Sequence, residues 1–135
     1  MASFLFKTEP SEYAFADLVR ERRTTWSGIR NNTALIHLRA VKKGDTVVIY
    51  HSGKEKAAVG LATAASPPYP DPTLAEPKLV VVDLEPLKAF NRPVPLAAFR
   101  SDPILKTTEL VRISRLSVMP LSARHLERVL KLAGV

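Results

Sequence analysis

Thr46-Val47-Val48-Ile49-Tyr50, followed across Ser52-Gly53-Lys54 by the run from Ala57 to Ala64, is the stretch on which the fold turns. The first run is β-branched and apolar, which suits a strand buried in a sheet, and the second reads as its partner across a short loop. Together they make a hairpin. Leu79 to Asp83 supplies a third core strand that runs on toward Phe90, and Asn91 to Pro95 reads as a proline-bearing turn. Ser3 to Lys7 alternates weakly and is rich in Phe, as a first strand broken by Glu9-Pro10 would be. Val111 to Ser114 reads as a last short strand.

Helical signals surround these strands. Ser11 is placed to cap a short helix whose Phe15, Leu18 and Val19 fall at helical spacing, closed by the polar run Arg20-Glu21-Arg22-Arg23. Thr24 to Gly28 then reads as a turn carrying the single tryptophan. Asn31 or Asn32 caps a second helix with an apolar stripe of Ala34, Leu35, Leu38 and Val41, ended by Lys43-Gly44-Asp45. Ser66-Pro67-Pro68-Tyr69-Pro70-Asp71-Pro72 is too rich in proline for a ladder and reads as a defined loop. Leu96 to Arg100 fits one helical turn. A final helix, capped by Ser122 and stopped by Gly134, turns Leu126, Val129, Leu130 and Ala133 inward and sets Arg124, Arg128 and Lys131 on another face. Short strands, helices near both ends and no regular strand-helix alternation predict an α+β barrel rather than a doubly wound sheet.

A chain of 135 residues fits a single domain over 1–135. With 46% hydrophobic and 24% charged residues it has ordinary globular composition. No apolar run approaches the roughly 20 residues that span a bilayer. Met1-Ala2-Ser3-Phe4-Leu5-Phe6-Lys7 lacks the basic head and long apolar stretch of a secretory signal, so a cytoplasmic location is expected. There is no cysteine, and the three histidines are scattered, so neither a metal nor a cofactor is expected. Twenty Lys and Arg against thirteen Asp and Glu give a net charge of +7. Such an excess attracts polyanions, which makes nucleic acid the leading partner class. Arg20, Arg22, Arg23, Arg39, Lys42, Lys43, Arg124 and Arg128 are the candidates for phosphate contacts.

Enzymes make sharper demands, and few are met. His51 and Ser52 are neighbours on a strand and point to opposite faces, so they do not serve one another as base and nucleophile. There is no nucleophile elbow, phosphate loop or dinucleotide glycine pattern. Glu9 and Asp71 are the acids in motif-like surroundings, and an enzyme acting on a base would need one of them with a strongly perturbed pKa. A binding role is expected instead. Trp26-Ser27-Gly28-Ile29-Arg30-Asn31 brings together a π-face, a glycine that permits close backbone approach, a planar fork of donors and an amide, which are the means by which a base is held. On these residues alone a lone tryptophan is more often a core residue, with Arg30 in an ordinary ion pair.

Phe6-Lys7-Thr8-Glu9-Pro10, Trp26 to Asn31, Lys43-Gly44-Asp45, Tyr50-His51-Ser52, Tyr69-Pro70-Asp71-Pro72 and Arg115-Leu116-Ser117-Val118-Met119-Pro120, in that order, resemble the EVE domain family. The resemblance spans essentially the whole chain. It implies a PUA-like mixed β-barrel with flanking helices and a pocket for a modified base in DNA or RNA. Carried over motif by motif, it sets Lys7, Thr8 and Glu9 at the pocket mouth and builds one wall from Trp26, Gly28, Arg30 and Asn31. Tyr50, His51 and Ser52 approach from the hairpin strand, Tyr69, Pro70 and Asp71 close another side, and Arg115 and Ser117 flank it. The chain departs from the family's habit at Asn32-Thr33-Ala34, where many members carry an aromatic or His and then Gln-Ala, and its short connection from Pro72 to Leu79 looks bacterial. The expected protein is therefore a monomeric reader of a modified base without catalysis. The rival of another class is a small-molecule or protein-interaction module that uses the same pocket for a nucleoside-like metabolite or a peptide.

Overall fold

The computed structural model describes residues 1–135 as a mixed α+β structure. In chain order it runs β1 (Ser3–Thr8), α1 (Phe15–Glu21), β2 (Thr24–Trp26), α2 (Asn32–Arg39), β3 (Thr46–His51), β4 (Ala57–Ala64), β5 (Tyr69–Pro70), β6 (Val80–Pro95) and α3 (Leu96–Ser101). A 3₁₀ turn at Leu105–Thr107, α4 (Glu109–Arg112), β7 (Val118–Leu121) and α5 (Ala123–Ala133) complete it. The main sheet is ordered β2-β6-β4-β3-β1-β7, with β5 paired to β6 off this path. β1 is parallel to β3 and antiparallel to β7, so the first and last strands of the chain lie side by side.

The predicted hairpin is β3 and β4, paired antiparallel from Thr46↔Thr63 to His51↔Ala57. The register slips at Ile49/Tyr50 in this pair, and at Ala58/Gly60 and Leu61/Ala62 where β4 meets β6. Such bulges bend and twist a sheet locally. The consequence is a curled half-barrel, in which Trp26 on β2 lies 5.8 Å ring to ring from Phe6 on β1 although three strands separate them in the sheet order. Both faces of the sheet are covered: Leu5, Val48 and Met119 are fully buried on one and Phe6 on the other, with Leu18, Leu35 and Phe99 buried from the helices.

Several local expectations change. Ser11 does not cap α1: Ala14 is the residue before it, and the Asp17 carboxylate accepts the Ala14 N–H at 2.8 Å. Val19 is exposed. Thr24 to Trp26 is a strand because Val82, Asp83 and Leu84 of β6 pair with it. Asn91 to Pro95 continues β6 instead of turning, and Tyr69–Pro70 forms a short ladder with Val81 and Val80. Val111 belongs to α4, and the last strand is Val118–Leu121. The caps of α2 and α5 are as read. Asn31 Oδ1 accepts the Ala34 N–H at 3.0 Å, and Ser122 Oγ accepts the His125 N–H at 3.0 Å, with Gly134 closing α5 at φ 76°.

Arg128 on α5 is tied to the buried Asp102, Nε to Oδ2 at 2.6 Å, and Asp102 Oδ1 also accepts the Ile104 and Leu105 N–H groups. Burial pushes the Asp102 carboxyl up, but the Arg128 guanidinium and these N–H groups outweigh it and hold it below the usual carboxylate range. A carboxyl depressed on folding contributes stability that is complete above its unfolded pKa of about 3.9 and is lost as pH falls through the folded value. Urea unfolding at pH 7 and at about pH 3 should therefore show Asp102→Asn losing less stability on acidification than the wild type. Equal losses would show that Asp102 carries none of the acid sensitivity.

Candidate functional site

The curl of the sheet leaves a cleft of about 350 Å³ between the end of β1, the segment leading into α1, and β2. Lys7, Thr8 and Glu9 line it from the first strand, Thr24, Thr25 and Trp26 from β2, and Ser27 and Ile29 from the following loop. Glu12 and Tyr13 cover it from the segment before α1. That segment is held down by bonds of its own. Thr8 Oγ1 donates to the Tyr13 carbonyl at 2.7 Å, and the Tyr13 N–H donates to the Glu9 carbonyl at 2.9 Å.

Trp26 turns out to be both things the sequence allowed. It is only 7% exposed, with the Tyr13 ring edge-on at 6.0 Å and Phe6 tilted against it, so most of its surface belongs to the core. Its remaining edge lines the cleft, and its indole N–H has no hydrogen-bond partner in the protein and is not sealed from solvent. Tyr13 adds a half-buried ring whose hydroxyl donates to Glu21 Oε1 at 2.7 Å. Burial raises the Tyr13 phenol above its ordinary pKa, a nearby Thr24 hydroxyl opposing and Glu21 reinforcing the rise.

Lys7 is the one basic residue of the lining, and its ammonium is engaged by groups outside that lining. Burial holds its ammonium below the ordinary lysine range, and Nζ donates to the Ser114 carbonyl at 2.8 Å while lying 6.0 Å from the Tyr50 ring centre. The Glu9 carboxyl is held below its usual range by the Ser11 N–H, and that of Asp71 by the Thr73 hydroxyl and N–H. Both carboxyls are thus favoured in the ionised form, the opposite of the raised pKa that a carboxylic general acid needs.

Of the residues the sequence marked, Lys7, Thr8, Glu9 and Trp26 meet in the cleft, and the rest stand outside its lining. His51 is buried, accepts the Phe15 N–H at Nε2 (2.9 Å) and faces Glu55 Oε1 from Nδ1 (2.9 Å), so one ring nitrogen ties β3 to α1 and the other holds the β3–β4 loop. Tyr50 is buried beneath Lys7. Ser52 pairs its N–H with the Thr8 carbonyl. Asn31 has its side-chain oxygen engaged as the α2 cap, whereas Gly28 (φ 82°) and Arg30 are exposed in the loop beside the cleft. Tyr69 donates to Asp83 at 2.6 Å, Pro70 sits in the β5 ladder and Asp71 holds Thr73. The Ser117 carbonyl accepts the Lys7 N–H, and Arg115 is exposed in the same loop.

Among the proposed phosphate contacts, Arg20 is paired with Asp17 at 2.8 Å, Arg23 with Asp83 at 3.0 Å and Arg128 with Asp102, so these charges are already answered. Arg22, Lys42, Lys43 and Arg124 are exposed without an ion pair, and Arg39 donates to the Lys78 carbonyl at 3.4 Å. Sequence reasoning missed Tyr13, Thr24 and Thr25. Reading Thr24-Thr25-Trp26 as a strand would have set Thr24 and Trp26 on one face. Nothing local marks Tyr13.

A sequence profile of the EVE domain matches residues 2–132. Human thymocyte nuclear protein 1 is 30% identical over 96% of this chain and 72% of its own length. A protein of Rhodopseudomonas palustris solved by NMR superposes with a TM-score of 0.94 at 38% identity, covering 99% of this chain and 94% of that one. The human protein has been solved in complex with DNA containing 5-methylcytosine, and that structure matches at a TM-score of 0.91 and 29% identity over 100% of this chain and 99% of the other. The curled sheet and its helices are accordingly the PUA-like fold that the motifs imply. With nearly every residue inside one profile and one superposition, the chain belongs to the EVE domain family.

Proposed function

We propose that residues 1–135 act as a single monomeric binding module, without catalysis, that takes a modified nucleobase of DNA or RNA into the cleft between Trp26 and Thr8. The observation that carries this reading is the human relative's complex with DNA containing 5-methylcytosine, a protein whose solved chain this one overlaps almost completely. A base displaced from its stack enters the cleft, where the Trp26 indole N–H and the hydroxyls of Thr8, Thr24 and Ser27 meet its polar edge and the Tyr13 and Trp26 rings meet its faces or edges. The exposed loop at Gly28 and Arg30 lies where it can follow the strand on either side.

Reading one added methyl group is worth about 1–3 kcal/mol, so the preference for a modified base should be roughly 10-fold to 100-fold. Matched oligonucleotides carrying no modification, methylcytosine, hydroxymethylcytosine or methyladenine, as DNA and as RNA, test this by titration. One modified base should stand out by that margin. Equal affinity across the panel would overturn the reading.

A second reading has a specific observation in its favour. Glu9 and Glu12 both line the cleft and repel a phosphate brought close, which suits an uncharged nucleoside-like metabolite. Binding of free nucleosides that is tighter than that of any oligonucleotide, and indifferent to salt, would select it.

A further inference from the structure

The cations around the cleft are not equivalent. On the α1 side, Arg20 and Arg23 are already paired with carboxylates, and Glu12 lines the cleft itself. On the opposite side, where the parallel strands β1 and β3 end, the cations lack counter-ions. Lys7 donates to a carbonyl, not a carboxylate. Arg115 is exposed in the loop whose Ser114 and Ser117 carbonyls accept from Lys7. Arg100 is exposed on α3 beside Phe99, whose ring stands edge-on to that of Tyr50 at 6.5 Å, beneath Lys7. Lys54 and Lys56 are exposed in the next loop, whose end is fixed by the Leu96 N–H donating to the Lys56 carbonyl. The acid between those lysines, Glu55, is turned back onto His51.

We infer that the phosphates of a strand whose base occupies the cleft run along this β1–β3 flank, over Lys7, Arg100 and Arg115 toward the loop of Lys54 and Lys56, and not across α1. The inference rests on the reading of the cleft as a nucleobase site, and it assigns the backbone a path which that reading leaves open. Charge decides it. On the α1 side a phosphate at Arg20 or Arg23 must displace an Asp already within 3 Å, which leaves Arg22 alone unpaired there, whereas on the β1–β3 flank it becomes the first anionic partner several neighbouring cations meet. For Lys7, half-buried beside the cleft, a phosphate also removes the penalty that burial places on its charge. Glu9 lines the cleft with its carboxylate accepting the Ser11 N–H, and its charge opposes a phosphate inside the cleft itself.

The test is the salt dependence of binding to a single-stranded oligonucleotide, with and without the modified base that the wild type prefers. Each phosphate contact on a single strand contributes about 0.7 to the slope of log affinity against log salt. The double variant Arg100→Glu/Arg115→Glu should flatten the slope by about 1.4 and weaken binding about tenfold at 0.1 M salt, with the ratio of modified to unmodified affinity unchanged. Lys88→Glu/Lys131→Glu makes the same change in net charge on β6 and α5, outside the cleft lining, and should leave the slope near that of the wild type. A wild-type slope in Arg100→Glu/Arg115→Glu, or a larger loss in Arg20→Glu/Arg22→Glu, would overturn the path while leaving the reader intact. A wild type that binds with a steep slope but shows no preference would instead remove the reader, and one that binds no oligonucleotide at any salt would remove both.

Discussion

Trp26→Ala is expected to lower the free energy of unfolding by about 3–5 kcal/mol, because truncating a buried Trp loses its transfer energy and leaves a cavity. The ring is 7% exposed and packs against Phe6 and Tyr13, so its loss opens the contact that holds β2 over β1. For a chain of this length the melting temperature should fall by roughly 10 °C or more. Unfolding in urea followed by far-UV circular dichroism measures this, since the variant removes the only tryptophan and its fluorescence. An unchanged midpoint would mean that the ring is not part of the core. The expected loss has a consequence for function: failure of Trp26→Ala to bind a base does not separate a lost contact from a lost fold. Trp26→Phe does. It keeps a ring between Phe6 and Tyr13 and deletes the indole N–H, whose loss as a neutral hydrogen bond should weaken binding by about 0.5–1.5 kcal/mol with most of the stability kept.

What was legible in the sequence follows from how local its cause is. The caps at Asn31 and Ser122 and the αL stop at Gly134 act within a few residues of themselves, and each is found where its residue type requires. The β3–β4 hairpin is marked by its β-branched run. By contrast, Thr24-Thr25-Trp26 has no strand pattern of its own and extends because β6 offers it a ladder. Asn91 to Pro95 reads as a turn because Pro cannot donate, yet β2 covers only Val82 to Leu84, so the far part of β6 is free on that side and Pro93 and Pro95 are tolerated in it. Val111, β-branched but in α4, shows the reverse override. The cleft divides in the same way. Lys7, Thr8, Glu9 and Trp26 were found through motifs, whereas Tyr13 is brought in by backbone and hydroxyl bonds to Glu9 and Thr8 that no residue pattern marks, and Thr24 by the curl of the sheet, a property of bulges far from it.

Gly60→Ala is the second substitution with a large expected effect, about 3 kcal/mol, at the upper end of what an overpacked core methyl costs. A Cβ at position 60 would stand 2.5–2.6 Å from three atoms of the Phe15 ring, too close for any real contact. The ring has little room to retreat. Phe15 is buried, begins α1, and donates its N–H to His51 Nε2 at 2.9 Å, so backing away either breaks that bond or draws α1 off the sheet. Shrinking the ring should relieve the clash, and Phe15→Leu in the Gly60→Ala background should recover stability relative to the sum of the two single losses, with a coupling of about 0.5–3 kcal/mol. Strictly additive losses in urea unfolding would show that the two residues do not compete for one space. The same displacement reaches the cleft, since Tyr13 precedes Phe15 by two positions and rests its ring against Trp26. Gly60→Ala should therefore weaken binding of the modified base as well, and Phe15→Leu should restore it in step with stability, because one packing contact sets both the seat of α1 and the wall that α1 brings to the base.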